Sequence, residues 1–134
     1  MARFHTIEAL NLLGSRLEMT VTELLEGVSD GVVGLPLVIR PNSQRYRVRF
    51  DAVGKFQVSP EPTSAISENA EKTAPFLYLE HDSKFKTENS WGATTFNFGR
   101  RFDQESNLKH YVVHAENYVV DVLTLDQPVV DVVE

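Results

Sequence analysis

The sequence predicts a mainly β domain, an antiparallel sandwich or barrel of about seven or eight short strands with one short helix at its N-terminus. Three observations carry this. Runs of alternating apolar and polar residues recur from about residue 32 to the C-terminus. Turn-forming residues interrupt them every ten residues or so, and no long stretch of helical periodicity appears. Residues 1–134 read as a single domain, and a chain of 134 residues buries enough surface to fold without a staple.

Taken in order, residues 6–14 read as a short helix. Thr6 is a candidate cap, Glu8 sits in the first turn, Ile7, Leu10 and Leu13 recur at helical spacing, and Gly14 suits the position past the end. Residues 17–27 carry two patterns. Leu17, Met19 and Val21 alternate with polar residues as in a strand, while Thr20 and Glu23 form a capping box before Leu24-Leu25. The clean alternation favours strand; the helical alternative would make a helix-turn-helix, which the acidic charge disfavours. Val32–Arg40 is an apolar run broken by Gly34 and Pro36, and Pro41-Asn42-Ser43 is a turn. Arg45–Phe50 alternates without error, and Val53, Phe56 and Val58 continue past Gly54, a candidate bulge.

Residues 60–75 hold three of the six prolines and read as a long Pro-rich loop with a helical turn near Ser67–Lys72. Phe76–Glu80 is a strand. Lys84–Glu88 and Ala93–Phe98 read as a hairpin around Asn89–Gly92. Leu108–Ala115 and Tyr118–Leu125 form a second hairpin over Glu116-Asn117, and Val129–Val133 is a last strand.

Composition removes whole classes of function. The chain has no cysteine, which excludes disulfides, thiolate nucleophiles and Cys-based metal centres. Net charge is −6 and pI about 5.2, which argues against nucleic acid as a partner. No run reaches the ~18 apolar residues of a membrane span, and no signal peptide is visible, so the expected location is cytoplasmic. Dinucleotide, Walker, zincin, nucleophile-elbow and EF-hand motifs are all missing, so no cofactor or metal is expected.

His110, His114 and Glu116 mimic metal-ligand spacing, but on a strand the two histidines lie roughly 13–14 Å apart, too far for one ion. A two-residue loop at Glu116-Asn117 pairs Val113 with Val120 and Tyr111 with Val122 on the core face. It leaves His110, His114 and Asp121 on the other face, with Asp121 diagonal to both histidines and within reach of one. Such a His–Asp pair is a candidate general base with its orienter, or a plain polar pair.

Arg45, Arg47 and Arg49 share one face of one strand. Residues 40–57 hold five basic residues against Asp51 alone, whereas residues 103–134 hold seven acids against Lys109. The stripe is a candidate site for an acidic protein partner; the alternative is cross-strand pairing with the chain's own acids. Of thirteen aromatics, most fall at strand alternation and belong to the core. Trp91 sits in a turn beside Gly92, as a lid on the barrel end or an exposed interface anchor. Glu80-His81-Asp82 gathers titratable groups at a strand end, where Asp82-Ser83 reads as a turn starter. The valine-rich C-terminal strand, if it lies at an edge, would pair with a second copy to give a homodimer.

Three functions follow in order of preference: a non-enzymatic β domain acting through protein–protein interaction, a small-molecule binder with an aromatic-lined pocket, and an enzyme using the His–Asp pair. The first places Arg45, Arg47, Arg49 and Trp91 at the partner surface.

Overall fold

A computed structural model describes residues 4–26, 36–60, 68–81, 83–88 and 108–133. They form a sandwich of two antiparallel sheets. Sheet I has the order β1 (Phe4–Leu13), β2 (Arg16–Glu26), β4 (Arg45–Phe50), β10 (Val129–Val133), with the two-residue β3 (Leu37–Val38) pairing the end of β2. Sheet II has the order β5 (Val53–Pro60), β9 (Tyr118–Thr124), β8 (Lys109–His114), β7 (Leu77–Glu80), β6 (Glu71–Ala74). One helical turn, α1, spans residues 84–88. No helix among the described residues is long and apolar enough to cross a membrane.

The segment read as an N-terminal helix is strand β1, hydrogen-bonded along its length to β2. The misreading has a physical cause. The β1–β2 register slips between Ile7 and Ala9, so Glu8 is an extra residue in a β-bulge. A bulge converts a two-residue step into a three-residue one, which puts Ile7 and Leu10 on the same inner face at helical spacing. Gly14 does not end a helix. It is the first residue of the Gly14-Ser15 turn, at φ +64°, where a Cβ would be strained. Residues 17–26 are strand throughout, and no helix-turn-helix exists there.

Two further expectations change. Part of the 60–75 loop is strand β6, with a turn at residues 68–69 where the helical turn was expected; residues 61–67 lie outside the described residues. Residues 84–88 are helix rather than strand. Ser83 caps them, its hydroxyl oxygen accepting the Lys86 N–H at 2.8 Å, and Lys84 lies 3.9 Å from Glu88 one turn on. Of the β run expected over Val32–Arg40, only Leu37–Val38 is strand, as β3, and residues 32–35 lie outside the described residues, as do Trp91 and the strand expected at 93–98.

The sheets meet through their inner faces. Leu17, Met19, Val21, Val48 and Phe50 of sheet I are fully buried against Leu77, Val113, Val120 and Val122 of sheet II. Each such side chain contributes about 1.5–3 kcal/mol of hydrophobic stabilisation. Aromatic contacts bridge the layers, Phe50 with Tyr111 at 5.9 Å and Tyr46 with Phe76 at 5.1 Å. The chain crosses between sheets at Asp51-Ala52. There the Ala52 carbonyl accepts bonds from the Thr124 hydroxyl and the Leu125 N–H, both at 3.1 Å.

Candidate functional site

The outer face of sheet I carries the arginine stripe. Strand alternation puts Arg45, Arg47 and Arg49 on that face, and each meets a carboxylate of its own chain. Arg45 Nε lies 3.2 Å from Glu8, Arg47 Nε 3.1 Å from Glu18, and Arg49 Nε 3.0 Å from Asp51, which Arg16 also approaches at 3.1 Å. Asp131 of β10 stands opposite Arg47. The Thr22 hydroxyl donates to Glu8, and this bond holds the Glu8 carboxyl below its usual range against the opposing effect of burial, with Arg45 adding smaller contributions to the lowering. The Arg16, Arg45 and Arg47 pairs are solvent-accessible and worth about 0–1 kcal/mol each, whereas Arg49 Nε is itself buried and, though close to Asp51, is not aligned for a hydrogen bond. The stripe is a cross-strand charge zipper, and its positive charge is met locally.

The second hairpin has the expected register. Val113 pairs Val120, Tyr111 pairs Val122, and Val112 pairs Asp121. Asp121 engages His110, Nε2 to Oδ1 at 2.7 Å, while His114 stands opposite Val119. The other ring nitrogen, Nδ1, lies 2.6 Å from Ser83 Oγ. Sequence reasoning missed Ser83 in this role. The Ser83 cap and the Lys84/Glu88 spacing were its available signal, but the contact to His110 spans 27 residues. Ser83 Oγ accepts from Lys86, and His110 Nε2–H donates to Asp121; between Ser83 Oγ and His110 Nδ1 the hydroxyl donates when the imidazole is neutral and the ring N–H donates when it is charged.

The surroundings of this chain are closed. The His110 side chain is 6 % exposed and that of Asp121 18 %. The Phe85 ring covers His110 at 5.0 Å, and Phe85 also packs against Leu108 and Leu123. The chain thus clasps α1 to the outer face of sheet II.

His5 is a different buried histidine. It sits between the sheets beside Phe76 (5.2 Å) and Tyr46 (6.2 Å), and its Nε2 has no hydrogen-bond partner among the described residues. Burial lowers its pKa, Glu23 partly opposes this, and Lys72 lowers it further. Among the described residues no cluster of three His, Asp or Glu side chains could hold a metal ion.

Among the described residues the sandwich has two open sides, where edge strands of the two sheets face each other. Between β1 and the β5–β9 pair runs a cleft of about 200 Å³ walled by Ile7, Leu10, Val58 and Tyr118. It is continued along the same strands by a second of about 200 Å³ walled by Leu12, Val53 and Phe56. Between β10 and the β6–β7 pair is a more polar cleft of about 240 Å³, reaching Glu71 and Tyr111. Burial raises the Tyr111 pKa, with Glu71 adding to it.

The β1 side is the apolar one. Leu13 is 80 % exposed, Leu12 50 %, and Val58 and Tyr118 43 % each. The first part of the β1 edge is closed by the β8–β9 turn. The Asn117 side chain accepts the Ile7 N–H at 3.0 Å and donates to the Ile7 carbonyl at 2.8 Å, while the Glu116 N–H reaches the His5 carbonyl at 2.8 Å. Beyond the bulge no such cover is formed by the described residues.

No known family fits. Neither a protein-family model, a curated protein nor a solved structure gives a match to this chain.

Proposed function

We propose that this protein is a non-enzymatic interaction domain, and that it engages another polypeptide along its open β1 side. The observation that supports this is the edge segment Ala9–Leu13. It is uncharged, lies next to an apolar cleft, and ends in two of the most exposed leucines among the described residues. An exposed apolar strand edge offers main-chain hydrogen bonds and side-chain pockets together, the chemistry of strand addition. The arginine stripe, with its charges met by Glu8, Glu18 and Asp51, is the weaker candidate surface. Each described cleft taken singly, at about 200–240 Å³, is smaller than the ~300–1,000 Å³ of ordinary small-molecule pockets, and the two that adjoin along β1 form an open groove.

Site-specific photocrosslinking tests this reading. A benzophenone side chain at Leu13 should give a discrete polypeptide adduct in cells, and the same probe at Arg47 should not. Adducts confined to Arg47, or none at Leu13, would overturn it.

The Ser83–His110–Asp121 chain favours a second, enzymatic reading, with the Ser83 hydroxyl as nucleophile and His110 taking its proton. A fluorophosphonate probe tests it. Labelling of Ser83 that is lost in His110→Ala would support it; an unlabelled protein leaves the chain as a structural clasp.

A further inference from the structure

Besides the two-residue β3, four described strands lie at sheet edges, and they differ in how those edges are protected. β5 is interrupted by a bulge at Gly54 and ends in Pro60, which has no N–H to offer. β6 has four residues, a bulge and the charged pair Glu71-Lys72. β10 follows Pro128 and carries Asp131 at its centre. Charge, proline, bulges and shortness are the usual devices against edge-to-edge pairing. β1 has them only up to Glu8. From Ala9 to Leu13 it has no charge, no proline and no bulge.

The hydrogen-bond phase of this segment follows from both ends. Leu13 and Arg16 flank a two-residue turn and so form a bonded pair, which makes Leu12–Leu17 and Leu10–Met19 non-bonded pairs. The Ile7 bonds to Asn117 point outward and give the same phase across the bulge. The N–H and C=O groups of Leu10 and Leu12 therefore point out of the sheet, and they meet no partner among the described residues.

We propose that two copies of this chain pair antiparallel through β1, with Leu10 of one copy opposite Leu12 of the other. The inference rests on the reading of the β1 side as the contact surface and names its occupant. In this register the outward groups of Leu10 bond those of Leu12 in the second copy, and the two-fold axis passes between the Asn11 residues. Ala9 lies opposite Leu13, so no charge opposes a charge anywhere along the segment. The exposed Leu12 of each copy is drawn over its partner's Leu10, and sheet I becomes continuous across the axis.

Sedimentation velocity on the full chain over a wide concentration range tests this. The expected particle is twice the 15.1 kDa chain mass. Leu12→Pro removes the outward N–H without touching the bonded pairs of the β1–β2 hairpin, so it should give a folded monomer. Because a proline could also disturb the fold, Asn11→Lys and Asn11→Asp provide an independent check on an exposed position. Each alone should dissociate about two- to five-fold more readily, and an equal mixture should recover. A wild-type monomer at every concentration overturns the dimer; a Leu13 adduct with a different polypeptide would then leave the broader reading standing. A dimer indifferent to Leu12→Pro and to both Asn11 variants overturns the β1 interface.

Discussion

Replacing Asn117 with Ala isolates the device that closes the first part of the β1 edge. Asn117 imitates a strand residue. One side-chain amide satisfies both the N–H and the C=O of Ile7, 110 positions away in sequence. Alanine removes two neutral hydrogen bonds, each worth a net ~1 kcal/mol, from a half-buried site. Water reaches such a site only in part, so the expected loss is about 1–3 kcal/mol. A loss near 2 kcal/mol lowers Tm by roughly 6–10 °C in a domain of this size. Urea unfolding gives the free energy, and amide exchange gives the location, since the Ile7 N–H should lose its protection while Val21, across the ladder, keeps its own. Asn117→Asp sharpens the test. It retains the acceptor for Ile7 N–H but sets a carboxylate against the Ile7 carbonyl, so it should not restore stability. A loss under ~0.5 kcal/mol for alanine, or full stability with Asp, would refute the reasoning.

Three more predictions follow from the same geometry. Gly14→Val should cost about 1–2 kcal/mol from backbone strain at φ +64° alone, because nothing lies within 4 Å of an added Cβ; Gly14→Asn should cost less, and a neutral Val variant in urea unfolding would contradict this. Asp121→Ala should destabilise by about 1–3 kcal/mol by leaving His110 Nε2–H unpaired in a buried site, whereas Ser83→Ala should raise exchange chiefly in residues 84–88; an Asp121→Ala protein as stable as the parent would remove the clasp. His5 has a lowered pKa in the fold, so the unfolded chain takes up its proton first as pH falls below ~6.5, and stability declines from there until the folded histidine protonates too. Glu8, whose pKa is also lowered, adds a further loss that begins as pH falls through the ordinary carboxylate pKa and continues until the folded carboxylate protonates. Urea midpoints across pH should show the first decline in the parent and not in His5→Phe; an unchanged slope in that variant contradicts the assignment.

The β class, the Glu116-Asn117 hairpin and its register were legible because they depend on local alternation and a two-residue turn. The His110–Asp121 contact follows from that register once the pleat is counted. The helix expected over residues 6–14 failed because a bulge at Glu8 and a helix leave the same spacing of Ile7 and Leu10, and only the partner strand distinguishes them. Ser83 and Asn117 were invisible for a different reason. Their roles depend on side-chain contacts to residues 27 and 110 positions away, and no periodicity encodes these. The arginine stripe was legible as a face, but its pairing with Glu8 was not, because that contact joins residues 37 positions apart on strands that are not direct neighbours in the sheet.

The β1 edge is most directly tested by residue-resolved amide exchange at low and high protein concentration. The account predicts that the Leu10 and Leu12 amides exchange freely in dilute solution and become protected together as concentration rises, while the Asn11 amide, already bonded to β2, stays protected throughout. Leu10 and Leu12 amides that exchange freely at every concentration, with no polypeptide adduct at Leu13, would contradict it.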